Sequence, residues 1–500
     1  MEKYQQLKNR LAEIGDINRA TSLLGWDQQV NMPPAGAEAR AYALATLSKI
    51  AHEMHIAEET GGLIEAAAAE LDGASPDSDE AALVRVAKRD YDQATKLPPE
   101  FVAELTHVTT LAYEVWAKAR AENKFTDFQP MLERIIDLTR QAAEYLGYTD
   151  HIYDALLDQY EPGMKTAQVR AIFDELKKDL VPLAQALSAR LDRVDNAVLR
   201  QEFDEDQQRD FGYEVIQKFG YDFKRGRVDR VVHPFETNFS INDVRITTRY
   251  DRRFLNTALF GMMHETGHAL YELGVDLAYE RTPLAGGTSL GVHESQSRLW
   301  ENVVGRSRAF WTHFYPTLQK YFPTQLGNVS LDTFYRAINK VTPSLIRVEA
   351  DEVTYNLHIM LRFELEQELL EGKVKVADLP EVWNARFKEY LGLTPPTDTL
   401  GVLQDVHWSS GLVGYFATYA LGNLISVQLW DKALADTPDI PAQIARGEFG
   451  ALREWLRANV HRYGRKYMPD ELVRRVTGES IQSRSYMRYL RTKYGEIYGL

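Results

Sequence analysis

Cysteine is absent from all 500 residues. Its absence excludes disulfide scaffolds, thiol catalysis, iron–sulfur clusters and every zinc site built on thiolates, and it suits a reducing cytosol. A dominant positive field is missing too. Against 72 Asp and Glu stand 58 Lys and Arg, a formal charge of −14, so no nucleic-acid partner is expected. The polar opening Met1-Glu2-Lys3-Tyr4-Gln5-Gln6 shows no secretory signal. Long apolar runs are lacking as well. The nearest approach is Trp408 to Trp430, which is uncharged but holds Ser409, Ser410, Thr418, Asn423, Ser426 and Gln428. It reads as a buried helix beside a polar cavity, not as a membrane span. A soluble, cytoplasmic protein with no membrane partner is expected.

What is present is mostly helix. Hydrophobic residues at 44% and charged residues at 26% are ordinary globular values, and a chain this long buries a large core. Residues 36–72 are rich in Ala, Leu and Glu. Residues 100–122 and 128–147 carry apolar side chains three and four apart, among them Phe101, Leu105, Val108, Met131, Ile135 and Leu138, the pattern of amphipathic helices. A further helix is expected from about Thr166 to Leu191. Only between Val231 and Tyr250 does the texture alternate, with Phe239, Ile241, Val244 and Ile246 among polar residues, which predicts a hairpin or small sheet. The fold class is therefore all-α with one small β-sheet. No repeat or flexible linker interrupts the chain, so residues 1–500 are read as one unit, with 1–200 as an N-terminal helical region and 201–500 as the region carrying the chemistry.

That chemistry centres on His264-Glu265-Thr266-Gly267-His268, inside an apolar helical pattern that stops near Gly274. Residues four apart share a helix face, one 5.4 Å turn apart. Two imidazoles so placed can reach one metal ion, and Glu265 can sit over the metal-bound water as a base. A catalytic zinc needs a third protein ligand and an open position. The stretch Gly286-Gly287-Thr288-Ser289-Leu290-Gly291-Val292-His293-Glu294 reads as a loop entering a helix. Glu294, 26 residues after His268, is the expected third ligand. Glu301 is its rival and is expected to support a ligand instead; His293 is expected to pack or to support a ligand as well. These residues by themselves imply a metal-dependent hydrolase.

The order of motifs is similar to that of a known family. His264 to His268 followed by His293-Glu294-Ser295-Gln296 resembles the carboxypeptidase Taq family of metallocarboxypeptidases. Four further segments fit it in order: His233-Pro234-Phe235, Asp243-Val244-Arg245-Ile246-Thr247, Ile346-Arg347-Val348-Glu349-Ala350-Asp351, and Gly401-Val402-Leu403-Gln404-Asp405-Val406-His407-Trp408. Trp26-Asp27 and Arg475-Val476-Thr477-Gly478-Glu479 extend the likeness over essentially the whole chain. The resemblance implies an almost wholly helical fold with a thermolysin-like metal core in a deep groove under N-terminal helices. It also implies a homodimer that removes single residues from peptide C-termini with broad specificity, using one zinc ion per subunit, or sometimes cobalt.

Further site residues follow from what such a reaction needs. The oxyanion requires a donor besides the metal; His407 and Tyr415 are the candidates, with Asp405 orienting His407 and Tyr419 as an alternative to Tyr415. A free C-terminal carboxylate calls for a fixed guanidinium. Arg347 is the first choice, with Arg245 and Arg249 in reserve, while pairing of Arg347 with Asp351 is the purely structural alternative. The segment from Asp243 is expected to supply an edge strand to which an extended peptide adds, with His233 at the groove wall, or else a hairpin bracing the metal helix. Two other functions stay open: an endopeptidase or oligopeptidase of the same mechanism, and a helical binding protein with a structural metal.

Overall fold

Runs of Ala, Leu, Glu and Lys become helices along almost the whole chain in the computed structural model, which describes residues 1–500. The expected helices are present as Pro99–Glu122, Phe125–Leu146 and Thr166–Ser188. Proline begins the first of these, where a missing N–H costs nothing. Residues 36–72 form two helices rather than one, Ala37–Ile56 and Glu58–Glu70, because Ala57 adopts an extended ψ of 142°. None of the helices is long and apolar enough to cross a membrane.

The chain divides into two compact units, each assembled from three segments, so the division does not fall at residue 200. The first comprises Met1–Thr95, Asn196–Ile338 and Leu429–Gly478; the second comprises Lys96–Asp195, Asn339–Gln428 and Glu479–Leu500. The basic C-terminal residues have internal acidic partners within each unit: Arg475 with Asp77 and Arg465 with Asp90 in the first, Arg491 with Asp179 and Lys493 with Glu352 in the second.

The first unit contains the only sheet, formed by β1 (Val228–Arg230), β2 (Glu236–Ser240) and β3 (Asp243–Thr248) in the order β1-β3-β2. β1 runs parallel to β3 and β2 antiparallel to it. This corrects the edge-strand expectation: both sides of β3 are occupied, so no peptide can add there. Its role is the bracing one. Val244 and Ile246 of β3 pack with Ala258, Met262, Ala269 and Leu273 of the helix Asn256–Gly274, burying the apolar face of the helix that carries the histidine pair.

The opposite face of that helix meets the helix Leu290–Arg298, whose N-terminus is capped by the Ser289 hydroxyl accepting from the Val292 N–H. The two backbones approach most closely at Gly267. A Cβ there would lie 2.5 Å from the Gln296 carbonyl oxygen and 2.5 Å from the Ser297 Cα. Gly261, two turns earlier, has nothing within 4 Å of its would-be Cβ.

The uncharged stretch from Trp408 opens with a 3₁₀ turn, Trp408–Ser410, and is α-helical only from Ala417 onward. Gly411 and Gly414 take φ values of 73° and 97°, and a Cβ on Gly414 would meet the Leu156 backbone at 2.9 Å. Tyr415 therefore lies ahead of the helix that carries Tyr419, not four residues along the same helix.

The glycine pair yields a prediction. Gly267→Ala should lower stability by about 1–3 kcal/mol through overpacking, whereas Gly261→Ala should raise it by about 0.5–1 kcal/mol by removing backbone freedom. Thermal unfolding of both variants should shift Tm in opposite directions.

Candidate metal centre

The crossing at Gly267 sets three side chains against one another. His264 Nε2 lies 3.5 Å and His268 Nε2 3.4 Å from Glu294 Oε2, and the three ligand atoms all lie within 4.8 Å of one another. Donors 2.0–2.1 Å from a tetrahedral ion must stand about 3.3 Å apart. The pair of contacts on Glu294 fits that spacing, and two nitrogens with one carboxylate oxygen are a donor set that zinc accepts. These are the three residues that the sequence pattern singled out.

Each carboxylate oxygen of Glu294 has its own task. Arg298 Nε donates to Oε1 at 2.6 Å, and the Ser297 hydroxyl donates to Oε2 at 2.9 Å, which leaves Oε2 aimed at both imidazoles. Burial opposes ionisation, but Arg298 and His264 outweigh it and hold the Glu294 carboxyl well below the usual range. Glu301 does not join the cluster; its Oε2 lies 2.9 Å from His264 Nδ1 and it also pairs with Arg298 and Arg306. It sits in a π-helical turn, Leu299–Val304, a widened segment typical of functional sites.

Glu265 is 7% exposed. Burial lifts its carboxyl to about 7, with His264 opposing and the Glu294 charge adding to the rise. A bound cation would draw it back toward the ionised form. Three further residues of this unit escaped the sequence reading. Arg298 follows Glu294 by four, and Glu272 follows His268 by four, so helical spacing alone could have flagged both. Glu236, at the start of β2, carries no such signal. Its Oε1 is buried without a partner, and burial raises its carboxyl to about 8, with His293 opposing. His233 is exposed in the bend before β2. Arg245 forms a two-pronged pair with Asp243 at 2.8 Å and stacks over Trp26 and Phe239.

The remaining candidates belong to the second unit. Arg347 is not paired with Asp351. Residues Arg347–Glu349 make a single 3₁₀ turn rather than an α-helix, so four-residue spacing does not bring the two together. Instead Arg347 donates from Nε and Nη2 to Asp405 Oδ1 at 3.0 and 2.8 Å, and from Nη1 to the Tyr355 hydroxyl at 3.0 Å. Arg362, fully buried in the run Leu357–Leu370, donates to Asp405 Oδ2 at 2.6 Å. A lone arginine following the apolar Ile359-Met360-Leu361 was the available signal. Burial resists the Asp405 charge, but Arg362 and Arg347 hold its carboxyl far below the ordinary range.

Asp405 does not orient His407. The Nδ1–Oδ1 separation is 3.9 Å, too long for a hydrogen bond, and Nδ1 is buried without a partner. His407 Nε2 faces the Tyr419 hydroxyl at 3.3 Å. Burial, aided by the two arginines and opposed by Asp405, pulls His407 down to about 4, so its ring is neutral at pH 7. Tyr415 packs edge-on against Tyr160 and tilted against His407.

Comparison with known proteins gives one consistent result. The family model described as carboxypeptidase Taq (M32) metallopeptidase matches residues 6–494. Carboxypeptidase 1 of Bacillus subtilis is 40% identical over 488 residues, covering 98% of this chain and 97% of its own. Thermostable carboxypeptidase 1 of Thermus thermophilus is 41% identical over 505 residues, covering 99% of each chain. Among solved structures, the M32 carboxypeptidase of Deinococcus radiodurans superposes with a TM-score of 0.97 at 44% identity, covering 100% of both chains.

The Asp405 cluster carries its own prediction. Removing the single acidic partner of two buried guanidiniums leaves uncompensated charge, so Asp405→Asn should cost about 3–5 kcal/mol. Denaturant unfolding checks it; a variant as stable as the parent would mean that the arginines are compensated elsewhere.

Proposed function

The chain belongs to the carboxypeptidase Taq (M32) family of metallopeptidases and is a metallocarboxypeptidase; we propose that His264, His268 and Glu294 hold its cation and that Glu265 is its general base. The observation that carries this reading is the meeting of two imidazole Nε2 atoms on one carboxylate oxygen, at 3.5 and 3.4 Å. With no thiolate in the chain, the donor set suits zinc, and cobalt can replace it. When bound, the cation supplies Lewis acidity to the scissile carbonyl and acidifies the attacking water.

The protein's own groups do the rest. Glu265 takes a proton from the attacking water and delivers it to the departing amine nitrogen, so the C–N bond breaks after the C–O bond has formed. A carboxyl whose burial brings it near neutrality suits both halves of that transfer. Glu301 and Arg298 hold His264 and Glu294 in orientation. His407 and Tyr415 are the proposed donors to the developing oxyanion. A neutral His407 has one N–H to give, and the Tyr415 hydroxyl has one.

For the free C-terminus, charge balance favours Arg347 over Arg245. Asp405 is shared by Arg347 and Arg362, leaving one positive charge in excess among these three groups, whereas Arg245 and Asp243 form a neutral pair. A peptide carboxylate supplies the missing negative charge, and Asp405 then acts by fixing the guanidinium rather than by touching substrate. A homodimer in a reducing cytosol completes the proposal; sedimentation measures the former, and a chain without cysteine suits the latter.

Two experiments test this reading. Glu265→Gln should keep one equivalent of metal and lose nearly all turnover; near-normal turnover would remove Glu265 from the mechanism. An N-blocked dipeptide and its C-amidated twin separate anchoring from chemistry. Wild-type enzyme should cleave the free acid and scarcely touch the amide. Arg347→Ala should lower efficiency on the acid by about tenfold or more, the scale of a lost charge-assisted pair, with metal content unchanged. Equal losses on both substrates would make Arg347 structural, and efficient cleavage of the amide would indicate endopeptidase action.

A further inference from the structure

The two imidazoles of the metal motif are supported in different ways. Both present Nε2 to Glu294, so with Nε2 as the ligand atom the single proton of each neutral ring lies on Nδ1. His264 Nδ1 meets a carboxylate directly, Glu301 Oε2 at 2.9 Å. His268 Nδ1 meets no carboxylate; it lies 2.6 Å from Nδ1 of His293. A contact between two ring nitrogens holds one proton. On the other side of the His293 ring, Nε2 lies 2.9 Å from Glu272 Oε1.

We infer that His293 is a positioning residue for His268, and that Glu272 holds the His293 ring where it can do this. The inference rests on the proposed metal site. Glu272 Oε1 meets His293 Nε2 on the side of the ring away from His268, and so fixes the direction in which Nδ1 faces His268.

The surroundings keep this chain of groups in register. Glu272 Oε1 also accepts the Gly287 N–H at 2.9 Å. Gly287 packs so closely that a Cβ would lie 2.6 Å from His293 Cδ2 and 2.9 Å from Tyr271 Cε1. The Tyr271 ring lies 5.2 Å from the His293 ring. The spacing of the loop glycines thus has a function: they admit the backbone that fixes Glu272 and His293 together.

The test measures zinc affinity by competition with a chromophoric chelator, alongside Tm of the metal-free full-length protein. His293→Leu should weaken zinc binding about 10–100-fold, the usual cost of losing a partner of a ligating histidine. His293→Asn, whose amide oxygen falls near the Nδ1 position, should recover most of that loss. Glu272→Gln, whose amide can donate as well as accept, should weaken binding at an unchanged metal-free Tm. The inference is overturned if His293→Leu binds zinc like wild type while His268→Ala does not. Equal losses for Leu and Asn that follow the metal-free Tm would also overturn it, leaving His293 a packing residue. Wild-type zinc affinity in His268→Ala would instead overturn the metal assignment itself.

Discussion

Two helices that cross with no side chain between them, at Gly267, set everything that the metal site does. The crossing brings the four-residue spacing of His264 and His268 onto the early turns of Leu290–Arg298, where Glu294 waits. The sheet serves the same crossing from behind: β3 buries the back of the histidine helix, and β1 and β2 hold β3 in place.

Close packing of this kind traps charge, and the cost of burying it shapes both units. In the first, the buried carboxylates of Glu265, Glu294 and Glu301 lie beside two partly buried imidazoles, with Arg298 and Arg306 as counter-charges. In the second, Asp405 serves two buried arginines at once. Isolated buried charges are expensive, and pairs are tolerated only when the remaining hydrogen-bonding positions are filled. The first cluster is rich in acceptors that a cation would satisfy, whereas in the second a single carboxylate is hydrogen-bonded to two guanidiniums.

Local spacing made some of this legible in the sequence and hid the rest. His264, Glu265 and His268 were readable because they lie on one continuous helix, where sequence distance converts directly to direction, while Glu294, on the next helix, was found from the need for a third ligand and from the motif around it. The same conversion misled at Arg347 and Asp351, which share only a single 3₁₀ turn, and at Tyr415, which precedes its helix. Asp405 and His407 are neighbours in sequence, yet the Asp405 oxygens turn toward arginines from other segments. β3 was recognisable as a strand by its alternation. Its central place was not, because β1 is only three residues long and carries no period. Motif resemblance supplied the family before any of these contacts was known; the geometry supplied what the motifs could not, including the partner of each imidazole.

At the centre of the account is one cation held by His264, His268 and Glu294, with Glu265 left free to move protons. Anomalous diffraction at the zinc edge from crystals of the zinc-loaded protein tests this directly. One peak is predicted, about 2.0–2.2 Å from His264 Nε2, His268 Nε2 and a Glu294 oxygen, with Glu301 bound to His264 Nδ1 and Glu265 not coordinated. A peak ligated by Glu265 or Glu301, or one lying away from the histidine pair, would contradict it.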